Sequence, residues 1–216
     1  EMKQYTSGEM MRTKNFYLLL ATMFFGLISY FMVSPVSQTY QIDLGIPSAV
    51  AVSAVMLGSI VNAGARLVLP TLADKVGRIV CIKGVLIVAV IAMGVLAVSR
   101  SLAVTVAVVL MYGCYGGIMG SFPSLTSSIF GMKHTGENYG FVMFGIVFAT
   151  FGAPAISGLV SSNGYEMNVV FGIGAVFAVI AFVCLTLLGR NLVKEHAEKS
   201  VGAKKGTAQV RKPQAE

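Results

Sequence analysis

Ser59-Ile60-Val61-Asn62-Ala63-Gly64-Ala65-Arg66-Leu67-Val68-Leu69-Pro70-Thr71-Leu72-Ala73-Asp74-Lys75-Val76-Gly77-Arg78 is an apolar run with one arginine inside it, closing on a short basic loop. A cation in hydrocarbon costs from about 2.5 to more than 10 kcal/mol. A chain keeps one there only if the charge snorkels out, finds a partner, or lines a watery cavity. The stretch therefore points to a membrane helix with an anion site.

The composition around it agrees. The chain is 56% hydrophobic and only 12% charged, with 24 glycines and no tryptophan. Soluble domains carry about 25% charged residues, and a soluble chain of this composition would expose apolar surface it could not cover. Glycine enrichment suits helices that pack closely in lipid. The net charge of +7 raises nucleic acid as a partner, but the placement of the charges argues against it. Cys81, Cys114 and Cys184 lie in apolar runs without paired spacing and read as buried thiols. His134 and His196 sit in polar segments with no ligand spacing around them, so neither a metal nor another cofactor is expected. No nucleophile constellation stands out, and the chain does not read as an enzyme.

Six apolar segments approach the roughly 20 residues that a bilayer requires. They run over Phe16–Val36, Ser48–Leu69, Ile79–Val98, Leu102–Phe130, Tyr139–Val160 and Val169–Leu188. Backbone in lipid must satisfy its own hydrogen bonds, so each run is predicted helical, and none alternates as a barrel strand does. The fourth is long, and a bend is expected at Gly120-Ser121-Phe122-Pro123. The predicted organisation is a linker over 1–15, a six-helix transmembrane domain over 16–189, and a basic tail over 190–216 without regular structure. With six crossings, fourteen of the sixteen Lys and Arg residues fall on one side, only Arg100 falls on the other, and Arg66 lies within a helix. The positive-inside rule then puts both termini in the cytoplasm.

Three groups of residues invite functional readings. Ser59, Asn62 and Arg66 stand at i, i+3 and i+7 and share one helix face. At 1.5 Å per residue Arg66 lies about 12 Å along the helix from Asp74, inside the hydrocarbon. Its planar fork of donors suits a carboxylate; the alternative is snorkelling to the interface. Asp74, Lys75, Gly77 and Arg78 form a compact charged turn, either a gate cluster for a rocking machine or plain positive-inside anchoring. Tyr30, Tyr112 and Tyr115 could line a cavity or simply pack, and Gly113, Gly116, Gly117 and Gly120 read as a close-packing seam. No Asp or Glu lies within the six runs, so a proton relay, if there is one, is expected elsewhere.

Leu72-Ala73-Asp74-Lys75-Val76-Gly77-Arg78 resembles the loop signature of the major facilitator superfamily. Glu9-Met10-Met11-Arg12-Thr13-Lys14-Asn15-Phe16-Tyr17-Leu18-Leu19 resembles the stretch leading into the seventh helix in its oxalate/formate antiporter family. So do Asn62-Ala63-Gly64-Ala65-Arg66, Phe122-Pro123-Ser124 with Phe130-Gly131, and Glu137-Asn138-Tyr139-Gly140. The likeness covers about Glu9 to Gly158. It implies an all-α membrane protein: six transmembrane helices arranged as a 3+3 inverted repeat, the carboxy-terminal half of a twelve-helix transporter whose amino-terminal half is missing from this chain. It also implies a small organic anion as cargo, the bilayer of a plasma or inner membrane as surroundings, and alternating access by antiport or proton symport. By resemblance Arg66 takes the family's carboxylate-binding position. Two departures stand out: Pro70 replaces the usual glycine of the signature, and no lysine stands near Ile146, where some members have one. One fixed cation suits a monocarboxylate of the lactate, pyruvate or formate kind better than oxalate. A facilitator half with a drug or sugar as cargo, and a membrane scaffold that does not transport, are the alternatives.

Overall fold

The structure is a computed structural model that describes residues 3–210, and for His196 and residues 198–210 the backbone course alone. Among the described residues it contains helices and turns but no strand. The elements are α1 (Ser7–Met10), α2 (Lys14–Val33), a 3₁₀ turn (Ser34–Val36), α3 (Ser37–Asp43), α4 (Ser48–Val76), α5 (Arg78–Val98), α6 (Ala103–Phe130), α7 (Thr135–Val142), α8 (Phe144–Ser162) and α9 (Met167–Val210). Among the described residues six spans are long and apolar enough to cross a membrane: Lys14–Asp43, Ser48–Val76, Arg78–Val98, Ala103–Phe130, Thr135–Ser162 and Met167–Glu195. Each corresponds to one of the six predicted runs.

The helices pack in a definite order. α4 lies along α6, α2 and α5 both lie along α9, α5 also meets α6, and α8 lies along α2. The shared core includes Leu19, Met23, Leu27, Ile28, Leu86, Met93, Phe122 and Phe171, all essentially inaccessible. Glycines let backbones approach at these seams. A Cβ at Gly26 would meet Leu86 Cδ2 at 3.3 Å, and one at Gly145 would meet the Leu20 carbonyl oxygen at 3.0 Å. α4 and α8 are the least covered spans. Met56, Ile60 and Leu67 on α4, and Phe148 and Phe151 on α8, remain open.

Several boundaries differ from those expected. The first span does not end at Val36. Pro35, which has no N–H to donate, sits in the 3₁₀ turn, and the chain regains a helix to Asp43 inside the expected connector. Gln41 is fully buried there, its Nε2 donating to the Ser37 carbonyl oxygen (2.7 Å). The fifth span begins at Thr135 rather than Tyr139 and is interrupted at Met143 between α7 and α8. Both interior prolines of the second and fourth spans are carried within continuous helices, Pro70 in α4 and Pro123 in α6. α9 continues from the apolar run to Val210, through a segment whose sequence predicts no regular structure. The Ala, Lys, Glu and Gln residues of that segment are good helix formers. Residues 211–216 of the same basic tail lie outside the described residues.

The segment before α2 is not a free linker. The Tyr5 amide donates to the Phe130 carbonyl at the end of α6 (2.9 Å), and Asn138 Nδ2 donates to the Tyr5 carbonyl (3.0 Å). The Lys133 amide donates to Gln4 Oε1 (2.9 Å), and the Tyr5 ring meets Phe130 edge-on. Thr6 and Glu9 form a capping box on α1. The strap thereby satisfies an orphan carbonyl at a helix C-terminus.

Candidate functional site

The residues singled out on α4 and the tyrosines of α2 and α6 converge, although they come from three different helices. Arg66 Nε–H donates to Asn62 Oδ1, one turn earlier on α4 (3.1 Å). The Arg66 guanidinium lies over the Tyr115 ring, with its Cζ 5.4 Å from the centroid, within the range of a cation–π contact. Tyr115 in turn stacks on Tyr30, with centroids 4.2 Å apart and planes 13° from parallel. Tyr112 meets Tyr30 edge-on at 5.3 Å. The Ser34 hydroxyl donates to Tyr30 Oη (3.3 Å), and Tyr112 Oη shares a hydrogen bond with Ser37 Oγ (3.4 Å). Tyr112 is itself buried, with Gly58 directly beneath its ring. Ser59 stays on the open face of α4 with Asn62 and Arg66, but its hydroxyl turns back to the Val55 carbonyl (2.9 Å).

Two features of α4 and α6 hold Arg66 in place. Pro70 lacks the N–H that would bond the Arg66 carbonyl four residues earlier. That carbonyl faces Gly120 of α6, where an added Cβ would lie 2.7 Å from the oxygen. Neighbouring helices commonly make proline tolerable in membrane spans by covering the freed backbone group. Gly113 meets Val61 and Gly117 meets Leu69 along the same seam. The four glycines read from the sequence as a close-packing seam therefore form one, against the face of α4 beside Arg66.

Charge pairing separates Arg66 from two other arginines. Arg78 Nη2 pairs with Asp74 Oδ1 (3.2 Å), and Arg100 Nη2 with Glu166 Oε2 (2.9 Å). Arg66 has no carboxylate partner among the described residues. It is also exposed, on the face that this chain leaves open.

The charged turn is tighter than its sequence suggests. Asp74 and Lys75 still belong to the last turn of α4, Arg78 opens α5, and Gly77 alone links the two helices with φ 97°. L-residues rarely adopt that conformation, which explains the glycine. Beneath the turn lies a cavity of about 730 Å³ lined by Lys3, Tyr5, Asp74, Arg78, Leu192 and Glu195 among others. It shares none of its lining with the Arg66 cluster.

The strap over 3–10, whose contacts are with residues more than a hundred positions away, has no local signature at all.

The model of the Major Facilitator Superfamily matches residues 3–149. An oxalate:formate antiporter of Oxalobacter formigenes is 26% identical over 189 residues, which cover 86% of this chain and 45% of that protein. An uncharacterized MFS-type transporter of Escherichia coli (strain K12), YhjX, is 32% identical over 146 residues, which cover 66% of this chain and 36% of that protein. The chain thus spans less than half the length of these curated relatives.

Proposed function

The chain belongs to the major facilitator superfamily, and on that premise we propose that it forms part of a secondary transporter for a small organic anion. The cargo class is a monocarboxylate of the lactate, pyruvate or formate kind. The observation that carries this reading is the guanidinium of Arg66: it sits within a membrane-crossing helix, on the open face, with no carboxylate among the described residues to neutralise it. An isolated charge at such depth is a functional site by default, and a planar fork matches a carboxylate best.

In this reading Arg66 is the anion anchor, Asn62 supports it, and Tyr115 backs the guanidinium with Tyr30 stacked behind. Tyr112 shapes the far wall, and Ser59 extends the polar stripe on the same helix face. A second six-helix half faces α4 and α8, and cargo binds between the halves with alternating access by rocking. Asp74, Lys75, Gly77 and Arg78 form the gate cluster on the cytoplasmic side, where both termini also lie. Exchange of one anion for another, or entry of the anion with its own proton, fits spans whose interiors lack carboxylates. The protein resides in a plasma or inner membrane. The anchor offers one cation and no second one stands near Ile146, which favours monocarboxylates over oxalate.

The test is uptake of radiolabelled lactate, pyruvate, formate and oxalate into proteoliposomes by the full-length protein and its Arg66→Ala and Arg66→Lys variants. The expected result is uptake of a monocarboxylate that Arg66→Ala abolishes and Arg66→Lys weakens. Uptake unchanged in Arg66→Ala would overturn the carboxylate reading and favour an uncharged cargo. No uptake of any anion by the wild type would favour a scaffold.

A further inference from the structure

A guanidinium can grip a carboxylate along either of two edges, Nε with one Nη or the two Nη groups together, because it presents five N–H donors in a rigid fork. In this chain the first edge is already engaged. Arg66 Nε–H donates to Asn62 Oδ1 at 3.1 Å, and the acceptor belongs to the same helix, so the bond needs no other element to form. Asn62 is half-buried, with one side against α6. A Cβ at Gly116 would come within 2.8 Å of Asn62 Oδ1 and 2.9 Å of the Asn62 carbonyl carbon, so the missing side chain at Gly116 makes the room Asn62 occupies. The adjacent residue, Tyr115, supports the flat face of the same guanidinium.

The geometry points to Asn62 as a positioning residue that reserves the Nη1–Nη2 edge of Arg66 for the cargo, so that a carboxylate is bound end-on. This inference rests on the carboxylate reading of Arg66 and goes beyond it by assigning the edge and the residue that selects it. The amide is suited to the task because it is neutral. It fixes the plane of the guanidinium yet leaves its full charge for the anion, where an aspartate would orient the group and cancel it.

A double-mutant cycle tests this, with lactate, pyruvate and formate as probes of KM in the full-length protein. Asn62→Ala in the wild-type background is expected to raise KM about tenfold, equivalent to about 1.4 kcal/mol, with the maximal rate little changed. Asn62→Gln, which keeps an amide acceptor, is expected to recover most of the loss. In an Arg66→Lys background Asn62→Ala is expected to change KM less than about twofold, because a compact ammonium has no edge to orient. An equal penalty in both backgrounds would overturn the proposal: Asn62 would then touch the cargo or merely pack. Should Asn62→Ala fail to fold, Asn62→Asp has the same shape against Gly116. It is expected to raise KM beyond the alanine value, and wild-type binding by Asn62→Asp would equally overturn the proposal. If Arg66→Lys and Arg66→Ala both keep wild-type KM for every probe, the carboxylate reading falls and takes this inference with it; loss of binding in those variants with additive Asn62 effects removes this inference alone.

Discussion

Replacing Gly120 with alanine probes the packing that carries Arg66. A Cβ at 120 lies 2.7 Å from the Arg66 carbonyl oxygen, 3.0 Å from the Arg66 Cα and 3.1 Å from Pro70 Cγ. Comfortable heavy-atom contacts begin near about 3.5 Å, so the two helices must separate by about half an ångström or more at this level. None of the three atoms ends a flexible side chain, so local side-chain rotation gives no relief. Overpacking of this sort costs about 1–3 kcal/mol, and α4 has α6 as its principal neighbour, so little else holds it in register. If about 1.4 kcal/mol of that cost is relieved by displacing Arg66 from its binding geometry, carboxylate affinity is expected to weaken by about tenfold. The assay is thermal unfolding in detergent together with carboxylate affinity, with Gly94→Ala measured alongside. Gly94 lies on α5 rather than on α4 or α8, and a Cβ there meets nothing within 4 Å, so Gly94→Ala is expected to leave both properties intact. If Gly120→Ala unfolds at the wild-type temperature and binds carboxylate as tightly as the wild type, the proposed coupling between the glycine seam and Arg66 is wrong.

Two further outcomes follow from the structure. Gly77→Ala forces an L-residue to φ 97°, a strain of about 1–3 kcal/mol, and is expected to lower the unfolding temperature; Gly84→Ala, with open space around its Cβ, is the control that should not. Acidification is expected to loosen the capping box at the start of α1. The backbone hydrogen bond from Thr6, and then the bond from Lys3, hold the Glu9 carboxyl below its ordinary value. A carboxylate with a depressed folded pKa contributes stability above its unfolded pKa and loses it as the pH falls through the folded value. Hydrogen exchange at Tyr5 and Thr6 is therefore expected to quicken relative to the core as the pH drops below about 4.5. An unchanged ratio down to about pH 3 would refute the contribution of the capping box.

Much of the architecture was legible because lipid imposes a simple rule: about twenty apolar residues in a row must be helical. The six runs, the glycine seam and the tight turn at Gly77 all follow from local composition. The break at Ser34–Val36 and the helix beyond it were not foreseen. Pro35 marks an interruption, but nothing local says that Ser37 beyond it meets Tyr112 of α6 or that Gln41 is fully buried there. The convergence of Arg66 with Tyr115 and Tyr30 was only half legible. Helical spacing put Asn62 beside Arg66, whereas the tyrosines stand on α2 and α6, and their register against α4 depends on how deeply Gly113, Gly116, Gly117 and Gly120 let the helices approach. The strap was invisible because its bonds join positions far apart in the chain.

Chemical restoration of the charge at position 66 tests whether a water-facing cation on α4 binds the carboxylate. In a background with Cys81, Cys114 and Cys184 replaced, the Arg66→Cys variant is treated from the aqueous phase with aminoethyl methanethiosulfonate, which adds a cation, or with methyl methanethiosulfonate, which adds a neutral cap. Carboxylate binding is then measured for each adduct. We expect the cationic adduct to regain binding and the neutral adduct to remain inactive. Failure of either reagent to reach the introduced thiol from water, or equal binding by the two adducts, would contradict the account.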